Sequence, residues 1–258
     1  MRQCDSIGVL DSGVGGLSVL RQIHHILPQY ATLYYADQAH VPYGPRAPRE
    51  IDQFVENIAD YLMAQGARVI IVACHAASSA SLWHLRERYP DFPFVGMEPA
   101  VKPAVEATKT GVIGVLTTQA TAQGALYKSV LERFAANTTV LTVIAPKLVE
   151  IVEQGIQHTP QGQAIIQEYL TPLLDANADQ IVMACTHFPF LQTEIQAVIG
   201  KKAMIVDPGE AVARQVARIL PADMQPCNQH RYVTSGDPVR FRRLVYTLTG
   251  IDIVPEGI

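Results

Sequence analysis

The chain repeats itself once, and this repeat limits its possible folds more than any other feature. Ile7-Gly8-Val9-Leu10 is matched by Ile113-Gly114-Val115-Leu116, and Val69-Ile70-Ile71-Val72-Ala73-Cys74 by Gln180-Ile181-Val182-Met183-Ala184-Cys185. Leu10 lies 64 positions before Cys74, and Leu116 lies 69 before Cys185. A third pair keeps the order, with Glu98 24 positions after Cys74 and Asp207 22 after Cys185. Apolar strands resemble one another, so a single pair would mean nothing. Three pairs in order at matched spacing argue for two homologous halves.

Short β-rich apolar runs alternate with longer segments of helical spacing, the pattern of an α/β protein with mostly parallel sheets. Strands are expected at residues 6–10, 32–35, 68–73, 94–96, 111–116, 140–144, 180–184 and 203–206. Helices are expected at 17–27, 48–65, 78–88, 121–136, 162–177 and 191–199. Several of these open on Ser, Thr or Pro, which suit a first helical turn. From about Glu210 the tail reads as another helix, a Gly-Asp-Pro turn and a closing helix. The repeat divides the chain into a first α/β domain, residues 1–99 plus 207–258, and a second, residues 100–206. In parallel α/β sheets function gathers at the carboxyl ends of strands. Cys74 and Cys185 each follow such a strand, so halves that face each other bring the two thiols face to face across a cleft.

Composition removes several classes of function. With 48% apolar and 17% charged residues, the chain can build a core and is not disordered. Its net charge of −4, without a basic run, leaves no electrostatic footprint for nucleic acid or an anionic membrane. Apolar runs such as 69–74 fall far short of the roughly 20 residues a membrane span needs. The N-terminus runs into a strand-like segment without a signal-peptide core. Four cysteines in 258 residues are too few for a disulfide scaffold, so a reducing, cytoplasmic setting is expected. Cys4 and Cys227 have no chemical context and read as incidental.

Gly13-Val14-Gly15-Gly16 follows the first strand, and Asp37 lies 22 positions after Gly15, where a ribose-binding acid would sit. A dinucleotide fingerprint fails because Ser18 stands at its third glycine, and no Lys-Ser/Thr pair completes a P-loop. The turn instead suits an anion presented to backbone N–H groups, a carboxylate among the candidates. Asp11-Ser12 read equally well as a helix N-cap or as functional groups beside Cys74.

Cys74-His75 and Cys185-Thr186-His187 carry the most information. A lone cysteine after an apolar strand is usually a buried small hydrophobe. A zinc site lacks its ligand spacing, and a Cys-His nucleophile leaves the second cysteine unexplained. Two opposed thiols suit a stereochemical task, taking a proton from one face of a carbon and returning one to the other. A thiol with a reference pKa of about 8.5 keeps both protonation states within reach near neutrality.

Residues 7–16 (IGVLDSGVGG), Pro42-Tyr43-Gly44, Cys185-Thr186-His187-Phe188-Pro189, 207–213 (DPGEAVA) and 234–238 (TSGDP) together resemble the glutamate racemases of the cofactor-independent aspartate/glutamate racemase superfamily. The resemblance spans nearly the whole chain and implies two pseudo-symmetric α/β domains with the active site in the cleft between them. It implies Cys74 and Cys185 as catalytic bases, with Asp11 assisting the first, His187 the second, and Glu153 near the second. Ser12, Tyr43 and Gly44 match positions that hold the substrate's distal carboxylate, Thr186 matches one at its α-amino-acid end, and Pro42 falls among the substrate-binding positions. Thr118 and Thr121 also fall among its substrate-binding positions. No metal or organic cofactor is implied. Relatives are commonly homodimers, a point on which no pattern in this sequence bears.

One departure stands out. The family normally reads Cys-Asn-Thr at the first cysteine, and this chain reads Cys74-His75-Ala76. An imidazole is bulkier than an amide, so the pocket is expected to narrow there, with His75 as a hydrogen-bond donor, better when protonated. The expected substrate is a small acidic amino acid, and on size aspartate ranks above glutamate. The alternatives are a glutamate racemase supplying D-glutamate for peptidoglycan, an isomerase or decarboxylase on the same scaffold, a Cys-His amide hydrolase, and a non-catalytic ligand-binding or regulatory homologue.

Overall fold

The computed structural model describes residues 4–258. The first half runs β1 (Ser6–Asp11), α1 (Leu17–Ile26), β2 (Ala31–Ala36), α2 (Pro48–Ala64), β3 (Ala67–Val72), α3 (His75–Arg88) and β4 (Phe94–Gly96). The second half begins with α4 (Val101–Ala107), β5 (Val112–Thr117), α5 (Gln119–Gln123), α6 (Ala125–Phe134) and β6 (Thr139–Ile144). It continues with α7 (Pro146–Gln154), α8 (Pro160–Asp175), β7 (Gln180–Ala184), α9 (Gln192–Ile199) and β8 (Met204–Val206). The tail adds α10 (Gly209–Ile219), β9 (His230–Thr234), α11 (Pro238–Thr249) and β10 (Glu256–Gly257).

These strands form two parallel sheets, one of order β10-β9-β2-β1-β3-β4 and one of order β6-β5-β7-β8. Four strands of the first sheet, β2-β1-β3-β4, have the same order as the whole of the second. The repeat read in the sequence is also a repeat in register. Ile7 pairs with Val69 and Leu10 with Val72, and their counterparts Ile113 and Leu116 pair with Gln180 and Met183. The fold is therefore α/β with two equivalent parallel sheets, as expected.

Both sheets share an apolar core. Ile7, Val9 and Ile71 belong to the same buried cluster as Leu116, Ile181 and Met183, and each such side chain contributes roughly 1.5–3 kcal/mol on burial. The tail is tied to the first half by α10, whose Val212, Ala213 and Val216 are buried at i, i+1 and i+4 spacing, and which packs on α1. Among the described residues no helix is long and apolar enough to cross a membrane.

Several expectations need correction. The helix expected at 121–136 is broken, with α5 and α6 meeting at Gly124. Helix α3 starts at His75, not 78, immediately after Cys74. Helices α4 and α7 and strands β9 and β10 were not expected. Cys4 and Cys227 are not incidental: they form a disulfide across a sequence separation of 223, with Cα atoms 6.4 Å apart. Parallel strands place their starts at one end of the sheet. The approach to β1 and the approach to β9 therefore meet there, and the Cys227 N–H donates to the Gln29 carbonyl just before β2 at 2.9 Å. This pairing also removes the cysteine-count argument for a reducing compartment.

Candidate active site

The two halves present equivalent strand ends to one cavity of about 400 Å³. Cys74 caps α3 just beyond β3, and Cys185 follows β7; each is 7% exposed and lines the cavity. Ser12, Pro42, Tyr43, Gly44, His75, Ala76, Thr118, Thr121 and His187 line it with them. Asp11, Glu153 and Thr186, also expected at the site, are not on its surface. Pro45, Gln119, Ile144, Pro146, Val149 and Glu150 complete the wall and were missed. Four of these lie on or beside α7, which does carry a signal, with Pro146 opening the helix and Gly155 in a left-handed conformation closing it.

Beside Cys185 the groups form a charged chain. His187 Nδ1 lies 3.8 Å from Cys185 Sγ, and its Nε2 lies 2.7 Å from Glu153 Oε1. Burial pushes the His187 imidazole down, but its hydrogen bonds to Cys185 and Glu153 outweigh burial and hold it well above its ordinary value. Burial likewise raises the Glu153 carboxyl, and the bonds from His187, the Val14 N–H and Gln38 bring it below the usual range. His187 thus stands between Cys185 and Glu153, one ring nitrogen on the thiol group and the other on the carboxylate.

Cys74 has different neighbours. Burial first, then the Asp11 charge, pushes its thiol up, against hydrogen bonds from the Ala77 N–H and Ser12. Asp11 is fully buried and accepts the Gly13 N–H at 3.0 Å and the Thr186 hydroxyl at 2.9 Å. Burial holds its carboxyl above the ordinary value, opposed by the His187 charge. Neither Asp11 nor Ser12 caps α1, which has Gly16 at its N-cap and no side-chain cap hydrogen bond. Thr186 directs its hydroxyl to Asp11 and so links the halves behind the cavity. His75 is 2% exposed, and neither ring nitrogen has a hydrogen-bond partner. Burial lowers its pKa to about 3, so the expected protonated donor is a neutral imidazole with one donor and one acceptor.

The glycine turn does hold an anion, and the anion belongs to the chain. The Val14 N–H donates to Glu153 Oε1 at 3.0 Å. A side chain at Gly15 would place its Cβ 2.5 Å from both His187 Nδ1 and Thr186 Oγ1, so only glycine lets the halves meet this closely. Gly15→Ala is expected to cost about 1–3 kcal/mol of stability as overpacking. By displacing His187 by roughly 1 Å it should also lower kcat/KM about a hundredfold. Thermal unfolding together with steady-state kinetics checks both.

Asp37 binds no ribose. It is 2% exposed and accepts hydrogen bonds from Tyr43 at 2.5 Å, Ser235 at 2.7 Å and His40 at 2.9 Å. Its work is to fix the Pro42–Gly44 wall. Among the described residues no group of three or more His, Cys, Asp and Glu is placed to hold a metal ion.

Two α/β halves of matching strand order each bring a cysteine to a shared cavity. The model of the Asp/Glu/Hydantoin racemase family matches residues 7–216, and the chain belongs to that family; it is an amino-acid racemase. The glutamate racemase of Pseudomonas syringae pv. tomato is 44% identical over 247 residues, covering 94% of this chain and 90% of that one. A glutamate racemase isoform of Bacillus anthracis has a structure with TM-score 0.89 at 30% identity, covering 100% and 98% of the two chains. The Escherichia coli glutamate racemase, solved with L-glutamate and the activator UDP-MurNAc-Ala, gives 0.88 at 29% identity, covering 98% and 97%.

Proposed function

We propose that this chain interconverts L- and D-glutamate, one cysteine removing the α-proton while the other returns a proton to the opposite face. The observation that carries the reading is the pair of cysteines at equivalent strand ends on one cavity. Cys74, held as a thiol by burial and Asp11, is assigned the part of the acid, and Cys185, in contact with His187, that of the base. Turnover exchanges those states, and the return reaction resets them. The planar intermediate carries negative charge on the α-carboxylate. Preorganised donors oppose that charge, and the Thr118–Thr121 hydroxyl pair, 3.1 Å apart, lines the cavity for that task.

Glutamate displaces aspartate as the favoured substrate. The relatives that span most of this chain are named glutamate racemases, and a cavity of about 400 Å³ lies within the usual range for small-molecule sites. His75 does not close it to the longer acid. Kinetics on both L-acids test this reading, with chiral detection and with deuterium from heavy water appearing at the α-carbon of product. Equal or greater kcat/KM for aspartate would overturn it.

His75 supplies a separate expected outcome. An unpaired buried polar atom costs about 1–3 kcal/mol, and neither His75 nitrogen has a hydrogen-bond partner within the protein. His75→Leu removes them at similar volume and should stabilise the free protein by about 1 kcal/mol. If the substrate normally satisfies them, the same change weakens glutamate roughly tenfold. A melting curve and a KM measured on one preparation show the opposed signs.

A further inference from the structure

The tail motif Thr234-Ser235-Gly236-Asp237-Pro238 touches neither cysteine and does not line the cavity, yet its first two residues each begin a chain of polar contacts that ends at the site. Ser235 Oγ donates to Asp37 Oδ1 at 2.7 Å, and Asp37 Oδ2 accepts the Tyr43 hydroxyl at 2.5 Å. Tyr43 is 1% exposed and forms part of the cavity wall. The same Ser235 hydroxyl accepts the Ala39 N–H at 3.0 Å, which fixes the start of the wall segment. The neighbouring Thr234, fully buried, donates to Gln38 Oε1 at 3.4 Å. The Gln38 amide then donates to Glu153 Oε2 at 3.3 Å, and Glu153 holds His187 against Cys185.

These contacts depend on a close approach. A Cβ on Gly236 would lie 2.9 Å from the Gln38 Cβ, so the glycine lets the tail reach the segment after β2. Strand β9 brings the motif there in register, with Thr234 opposite Ala36.

We propose that Thr234 and Ser235 are positioning residues acting on separate halves of the racemase site: Ser235, through Asp37, on the substrate wall at Tyr43, and Thr234, through Gln38, on the Glu153–His187–Cys185 chain. The proposal rests on the glutamate racemase reading above for the meaning of those two parts. It assigns a purpose to the TSGDP segment and makes Gln38, a side chain outside the cavity, part of the support for the chemistry. Adjacent residues, the last of strand β9 and the one after it, then control different kinetic quantities. Binding follows Ser235, and the reactivity of one thiol follows Thr234 and Gln38.

The test uses the full chain and two readouts for each variant, glutamate affinity by calorimetry and the rate of iodoacetamide alkylation at Cys185, with Cys74 as internal reference. Ser235→Ala is expected to weaken glutamate about threefold to tenfold, the range one lost hydrogen bond supports, with KM rising in step, kcat held and Cys185 alkylation unchanged. Ser235→Thr, which keeps a hydroxyl, should restore affinity. Gln38→Met should slow Cys185 alkylation relative to Cys74 by a similar factor and lower kcat while leaving affinity within about twofold. Thr234→Val should do the same less strongly, and it serves if Gln38→Met fails to fold. Variants that move both readouts together, or neither, would overturn the proposal. A wild type that does not racemise glutamate, but whose variants still divide in this way, would overturn the assigned reaction and leave the positioning intact.

Discussion

Cys74→Ser and Cys185→Ser are each expected to reduce glutamate racemisation by a factor of about a hundred to ten thousand, the contribution of a positioned acid or base. Serine is nearly isosteric, so the cavity keeps its shape and each variant should melt close to wild type. The chemistry does not survive, because a serine hydroxyl is far too weak an acid and base to take either place. The causes of failure differ between the two. At Cys185 the substitution leaves the His187–Glu153 pair intact with no thiol group beside it. At Cys74 it removes the proton donor that Asp11 and burial hold ready. Polarimetry and deuterium incorporation from heavy water read the loss directly. Either single variant racemising at the wild-type rate would end the two-thiol scheme.

Reduction of the Cys4–Cys227 bridge is expected to lower stability by about 2–4 kcal/mol, because the bond closes a very long loop in the unfolded chain. For a protein of this size that corresponds to a melting shift of roughly 5–15 °C. Arg68 spans the same corner with ion pairs to Asp5 at 2.6 Å and Asp223 at 2.9 Å. Such exposed pairs add little, so they should not mask the effect. The bridge lies at the starts of the strands and the cavity at their ends, so racemisation at 25 °C should be nearly indifferent to reduction. Thiol titration in denaturant should find two free cysteines, Cys74 and Cys185, before reduction and four after. Four before reduction would show that the bond does not form.

The readable parts of this protein were those in which one local pattern determines the outcome. Strands β4 and β7 match their expected limits, the first opening directly after Pro93 and the second running apolar from Ile181 to Ala184 after Asp179. The duplicated register follows from the duplicated sequence. Strand β9 was hidden because His230 and Arg231 look like surface loop; it becomes a strand by pairing beside β2, a contact made across some 200 residues. The disulfide was invisible for the same reason. At the site, residue types named the two cysteines and His187. Only the structure shows that the anion for the Gly13–Gly16 turn is Glu153, that Asp37 supports a wall, and that burial denies His75 its charge. Each of these depends on what lies opposite, which spacing along one chain does not encode.

The first sheet is assembled from both ends of the chain, while the second uses a single continuous stretch. On the ribosome, where chains emerge from the N-terminus and segments fold as they complete, the two sheets close in the reverse of their sequence order. Strands β5 to β8 are all available once Val206 has emerged. The first sheet is complete only when β9 and β10, whose residues are among the last made, have joined on the β2 side. Until then β2 presents an open edge, and Thr234 and Ser235 have not yet reached Gln38 and Asp37. A nascent or C-terminally truncated chain can therefore hold both cavity cysteines and still lack the contacts that Thr234 and Ser235 make with Gln38 and Asp37.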